Sequence, residues 1–109
     1  MAQFGLHKLP HESQKWTKKK IKDDLLLKDT SHHNTRGTLS FAMAGPNTRA
    51  NQIFINYGDN RYLDKQGFVP FGQVIHDGMK VLFQILLSLL YIISKLSISI
   101  CMIDTTTIY

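Results

Sequence analysis

Residues 36–79 read RGTLSFAMAGPNTRANQIFINYGDNRYLDKQGFVPFGQVIHDGM, and this stretch decides the fold. It holds three runs of β-compatible residues separated by turn chemistry. The first, Thr38–Ala44, starts after Gly37 and ends at Gly45-Pro46-Asn47, because Pro46 has a fixed φ and no N–H for a ladder. The second is Gln52–Asn56. A two-residue period puts Gln52 and Phe54 on one face and Ile53 and Ile55 on the other. Gly58-Asp59-Asn60 forms a turn cluster, and Phe71–Ile75 is a third short strand closed by Asp77-Gly78. Three short strands with long connections do not make a meander of hairpins, so other segments must pair with their edges.

On the C-terminal side the character changes abruptly. Val81 to Ile103 is a run of 23 residues with one charge, Lys95. Its length matches the roughly 20 apolar residues that span a bilayer core. Its quality is poor, because Gln84, Ser88, Ser94, Ser97 and Ser99 dilute it, and a central lysine costs about 2.5–3.5 kcal/mol unless it snorkels. Up to Ser94 the run is apolar on every side of a helix. A membrane anchor and a buried helix both stay open as readings.

On the N-terminal side, residues 1–36 carry eight Lys/Arg against four Asp/Glu, a net of +4 out of +5 for the chain. The basic character therefore belongs to the first third. Lys18, Lys19, Lys20 and Lys22 form a short run that Asp23 and Asp24 interrupt, without the aromatic or arginine interleaving that nucleic-acid stacking needs. A solvated loop is the expected reading, and no nucleic-acid partner is expected. Ser13 is a candidate cap for a helix through Trp16, Ile21 and Leu25, although their spacing gives only a ragged stripe. The five histidines lack cysteine or carboxylate partners at metal-ligand spacing, so neither a metal nor another cofactor is expected.

Length and composition bound the rest. At 109 residues the chain has room for one small domain, and 43% hydrophobic against 19% charged content excludes a wholly disordered polymer. One cysteine, Cys101, excludes an internal disulfide framework. The start is polar and soon charged, unlike a secretory signal, and a cytoplasmic location is expected, or a membrane-associated one if residues 81–103 act as an anchor.

The central stretch resembles the core motif of the cyclophilins, the peptidyl-prolyl cis-trans isomerases. The likeness rests on Ala42-Met43-Ala44-Gly45-Pro46-Asn47-Thr48, then Gln52-Ile53-Phe54-Ile55, Tyr62-Leu63-Asp64 and Phe71-Gly72-Gln73-Val74, in order and at matching intervals. The NYGDNRYLD wording with Phe68 ahead of Val69 is similar to a bacterial-like subgroup. Met1-Ala2-Gln3-Phe4-Gly5 resembles a further family strand, and Trp16 with Ile21-Lys22-Asp23-Asp24 resembles the subgroup's loop. The resemblance covers roughly residues 1–80. It implies a mainly β fold: a partial cyclophilin-like barrel over residues 1–79, central strands only, followed by an apolar C-terminal helix within a tail at 80–109.

The resemblance also implies a proline-binding groove and rotamase chemistry in protein folding. Met1, Phe54, Leu63 and Phe68 correspond to the apolar pocket for the proline ring. Gln3 and Gln52 correspond to the polar pair around the reacting peptide. Ala42, Met43 and Ala44 would offer backbone groups to an extended substrate, Tyr62 stands at the rim, and Thr48 and Asn51 shape the neighbouring side-chain pocket. Proline-containing peptides or proteins are the implied partners, and cyclosporin the implied inhibitor. The family's catalytic arginine falls ahead of the position matched by Met1, and Arg36, Arg49 and Arg61 stand elsewhere in the motif. The family's first strands and helix also precede Met1, and its last strand follows Met79. Weak or absent turnover by this chain is therefore implied. The alternative is a proline-peptide binding module without catalysis, tethered to a membrane if residues 81–103 insert.

Overall fold

The segment Ile53-Phe54-Ile55 forms β3 (Ile53–Ile55), one of the two inner strands of the sheet, paired on both sides. The computed structural model describes residues 1–23 and 32–96. Around β3 lie β1 (Ala2–Phe4), β2 (Thr38–Phe41) and β4 (Pro70–Gln73), all antiparallel, in the order β1-β3-β2-β4. Among the described residues this sheet stays open, with β1 and β4 at its edges. The edge partner that the three-strand reading demanded is β1, which the family resemblance supplied and periodicity did not.

Register places Gln3 opposite Phe54 and Ser40 opposite Phe54, so these three side chains share one face. The opposite face carries Ala2, Ile55 and Leu39 in one row and Phe4, Ile53 and Phe41 in the next. The expected sorting of Phe54 from Ile53 and Ile55 is thus the observed one. Between Leu39 and Ser40 the β2–β4 register shifts by a residue, leaving Phe71 as the extra one. Pro70 starts the edge strand, a position where its missing N–H costs little. The Phe71 ring lies 4.7 Å from that of Phe41.

Several boundaries differ from the sequence expectation, for identifiable reasons. The first strand ends at Phe41 and not Ala44. Ala42 still donates to the Gln52 carbonyl at 2.9 Å, but the Ala44 N–H is taken by the Thr48 hydroxyl at 2.9 Å, which in turn donates to the Gly45 carbonyl at 2.6 Å. A side chain has replaced the ladder there. The third strand is Pro70–Gln73 and not Phe71–Ile75. The first helix, α1 (Pro10–Thr17), starts three residues before Ser13, with Leu9 at the cap position and Pro10 at the first helical position. Ser13 lies inside it, its N–H already bonded to the Leu9 carbonyl at 3.1 Å. The helix stops before Ile21, which instead forms an isolated bridge with Arg49, and Leu25 lies outside the described residues.

A 3-10 helix at Arg61–Gln66, absent from the sequence reading, ends at Gly67 with φ 88° and ψ 10°. That left-handed geometry suits glycine and lets the chain double back toward Leu63. The chain divides into two compact units, residues 1–73 and 74–109. In the first, Phe54, Ile55 and Leu63 are the buried hydrophobic residues among those described. The second contains α2 (Gly78–Leu96), whose Val81, Ile85, Leu87, Leu89, Tyr91 and Ile92 are all exposed. Among the described residues no helix is long and apolar enough to cross a membrane. The expected spanning segment 81–103 runs past the helix, and residues 97–103 lie outside the described ones.

Candidate proline-binding groove

Pairing of β1 with β3 brings Gln3 beside Gln52, and the Gln3 amide donates to the Gln52 side-chain oxygen at 2.9 Å. The two residues are 49 positions apart in sequence. Five further sequence-predicted residues gather around them. A groove of about 250 Å³ is lined by Gln3, Ala42, Met43, Ala44, Thr48, Asn51 and Gln52, together with Thr17 and Ala50. Its lining mixes polar side chains with alanines and one methionine. Thr17 was missed because α1 is far from the motif in sequence. Its hydroxyl donates to the Ser13 carbonyl and lies 3.4 Å from the Asn51 side-chain oxygen.

Asn51 also fastens β1. Its amide donates to the Gly5 carbonyl, and Gly5 sits at φ 115° with the Asn51 carbonyl against its α-carbon. The groove therefore depends on one close backbone approach that a side chain at position 5 would block.

The apolar residues assigned to the proline ring form a separate cluster. Phe54 is 2% and Leu63 7% exposed. Phe68 packs edge-on against Phe54, with ring centroids 5.7 Å apart and planes at 71°. The Phe68 N–H donates to the Leu63 carbonyl at 3.2 Å. Met1 and Tyr62 are exposed at 43% and 56% and line neither cavity. Phe68 and Met43 both line a second recess, of about 590 Å³, with His33, Arg49 and Asp64. Met43 is thus common to the groove and to the recess that Phe68 borders.

Among the described residues no arginine lines the 250 Å³ groove. Arg36 donates to the Tyr57 carbonyl at 2.7 Å, and Arg61 lies 3.5 Å from Asp59. Arg49, nearly buried, is ion-paired to Asp23 at 3.2 Å and donates to the Lys22 carbonyl. Reciprocal bonds between Asp23 and Asn47, 3.0 and 2.8 Å, hold the same two loops together. Arg49 thus helps to tie the 22–23 segment to its own loop.

The comparisons with known proteins agree with this geometry. The model of the cyclophilin type peptidyl-prolyl cis-trans isomerase/CLD family matches residues 1–88. The chain belongs to the cyclophilin family. That family is a class of enzymes, the peptidyl-prolyl cis-trans isomerases, and similar proteins carry the name. Peptidyl-prolyl cis-trans isomerase-like 3 of Dictyostelium discoideum is 46% identical over 67 residues, covering 60% of this chain and 38% of that protein. Peptidyl-prolyl cis-trans isomerase CYP18-1 of Arabidopsis thaliana is 44% identical over 64 residues, 59% of this chain and 38% of its own length. The human isomerase-like 3 protein is 48% identical over 50 residues, 46% of this chain and 30% of its own. The cyclophilin chain thus spans between 30% and 38% of the length of these relatives.

One polar device beside the groove was invisible in the sequence. Asp64, on the 3-10 helix, accepts from the Asn34 side chain at 2.6 Å and the Asn34 backbone N–H at 3.0 Å, and pairs with His33 at 2.9 Å. Burial alone would push its carboxyl up, but the Asn34 hydrogen bonds and His33 outweigh burial and hold it below the usual carboxylate range. A depressed folded-state value means that the stabilisation is complete above the unfolded value of about 3.9 and is lost as pH falls through the lower, folded one. The urea midpoint of the wild-type chain is therefore expected to drop more steeply below about pH 4 than that of Asp64→Asn, which has no carboxylate to protonate. Parallel acid limbs in the two proteins would contradict this.

Proposed function

We propose that this cyclophilin chain binds proline-containing peptides in the groove of Gln3, Ala42–Ala44, Thr48, Asn51 and Gln52, and catalyses their cis-trans isomerisation only weakly. The observation that carries the reading is the bonded Gln3–Gln52 pair in one groove with residues 42–44, with no arginine among the described lining residues. Prolyl isomerisation needs neither nucleophile nor acid. Its barrier of about 18–20 kcal/mol is amide resonance, and a catalyst has only to bind the twisted amide better than the planar ones. Gln3 and Gln52 supply orientable amide groups for that purpose, and Phe68 supplies apolar surface in the recess that shares Met43 with the groove. A charge-assisted hydrogen bond to the twisted amide contributes about 1.5–3 kcal/mol, roughly 10- to 150-fold in rate, and the groove of this chain offers none.

The same observation favours a second reading, a proline-peptide binding module without turnover. Two-dimensional exchange NMR on a Gly-Pro peptide separates them. With the full chain present, cyclosporin-sensitive cis-trans cross-peaks above the uncatalysed rate support weak catalysis, and binding without faster exchange supports the module. We assign residues 1–79 to the cyclophilin-like part and 80–109 to an apolar tail, and place the chain in the bacterial-like branch on its NYGDNRYLD wording. A reducing compartment such as the cytoplasm suits a chain with one cysteine.

A further inference from the structure

Asn34 is fully buried and makes six hydrogen bonds. Its backbone N–H goes to Asp64 at 3.0 Å, and its carbonyl accepts from Asn60 at 2.7 Å. Its side-chain oxygen accepts from Ser40 at 2.8 Å and from Asn56 at 3.2 Å. Its two amide hydrogens go to the Asp64 carboxylate at 2.6 Å and to the Phe68 carbonyl at 2.7 Å. One residue, by its side chain and its backbone together, therefore ties Ser40 and Asn56 to Asn60, Asp64 and Phe68.

We propose that Asn34 is a positioning residue for the apolar side of the recess that shares Met43 with the groove, holding the Phe68 carbonyl so that the Phe68 ring keeps its tilted contact with Phe54. The inference deepens the proline-binding reading and rests on it for its functional consequence. Two features separate this role from generic stabilisation. First, Phe68 is fixed by one backbone bond on each side of its peptide, N–H to Leu63 and C=O from Asn34, so the Asn34 amide is half of its anchoring. Second, only a primary amide at this place can give one hydrogen to a carboxylate and one to a carbonyl while its oxygen receives two donors. Serine has a single hydrogen and aspartate none.

The test uses the full 109-residue chain with labelled phenylalanines. It reads the ring-to-ring NOE between Phe54 and Phe68, the affinity for a Gly-Pro peptide, and the urea midpoint. In Asn34→Ser the NOE is expected to vanish and the peptide affinity to fall about tenfold. Ser40→Ala, which removes a bond at the sheet end of the same network, is expected to lower the midpoint while keeping the NOE and an affinity within about twofold of wild type. The exchange Asn34→Asp with Asp64→Asn keeps an amide–carboxylate pair between the two positions but has no hydrogen for the Phe68 carbonyl. It is expected to recover folding lost in Asn34→Ser without recovering the NOE, which keeps the test decisive should Asn34→Ser fail to fold. A surviving NOE in Asn34→Ser, an NOE regained in the exchanged pair, or an equal loss in Ser40→Ala would overturn the proposal. Should the wild-type chain bind no Gly-Pro peptide, the groove reading fails, whereas the NOE results still decide whether Asn34 positions Phe68.

Discussion

Phe54→Ala is expected to remove most of the stability of the unit formed by residues 1–73. Phe54 is 2% exposed, lies at the centre of β3 with β1 on one side and β2 on the other, and takes the edge of the Phe68 ring on its face. Truncating a buried phenylalanine costs about 3–5 kcal/mol, as lost transfer energy plus the cavity left behind. Domains as a rule hold only about 5–15 kcal/mol in total, and among the described residues of this unit Ile55 and Leu63 are the further buried hydrophobic ones. Urea denaturation followed by circular dichroism measures the effect. Phe71→Ala is the control, because Phe71 is half exposed and its loss should cost no more than about 1 kcal/mol. Equal midpoints for the two variants would mean that the core does not lie at Phe54.

The second large effect is at Gly5. A methyl group there would stand 2.0 Å from the Asn51 carbonyl oxygen and 2.9 Å from the α-carbon of Gln52, both backbone atoms with no rotamer to turn away. The φ of 115° is itself outside the range that side-chain-bearing residues adopt readily. Gly5→Ala must therefore push β1 from the 51–52 segment, breaking the Asn51–Gly5 bond and drawing Gln3 away from Gln52. A loss of about 2 kcal/mol or more is expected from strain and the broken bonds together. Hydrogen exchange should report faster amide exchange on the β1–β3 ladder than on the β2–β4 ladder. Gly58→Ala, where nothing lies within 4 Å of the new methyl, should change neither. Unchanged protection of β1 in Gly5→Ala would contradict the close approach seen here.

These two positions also show what the sequence could reveal. The sorting of Phe54 from Ile53 and Ile55 followed from strand period alone, and the ordered motif from Ala42 to Val74 carried the family. Gly5 lay in a strand that periodicity did not detect and that the resemblance supplied. The strand ending at Phe41 was hidden because its cause is the Thr48 hydroxyl, four residues beyond the backbone N–H that it captures at Ala44. The 3-10 helix left a faint trace, a turn cluster before it at 58–60 and Gly67 after it. Asn34 left none. An asparagine in a loop looks like a turn residue until the fold brings Asp64 and Phe68 to it from 30 and 34 positions away. Similarly, the separation of the Gln3–Gln52 groove from the Phe54–Phe68 cluster is a property of tertiary packing, and a single motif gave no sign of it.

The most direct test of the account is a titration of the full-length chain with a Gly-Pro peptide, followed by backbone amide shifts. Concentrated shifts at Gln3, Ala42–Ala44, Asn51 and Gln52, with a second group around Phe68, are the predicted result. Shifts confined to other surfaces, or none at peptide concentrations in the millimolar range, where free energies of only about −4 kcal/mol already register, would contradict a proline-binding groove in this chain.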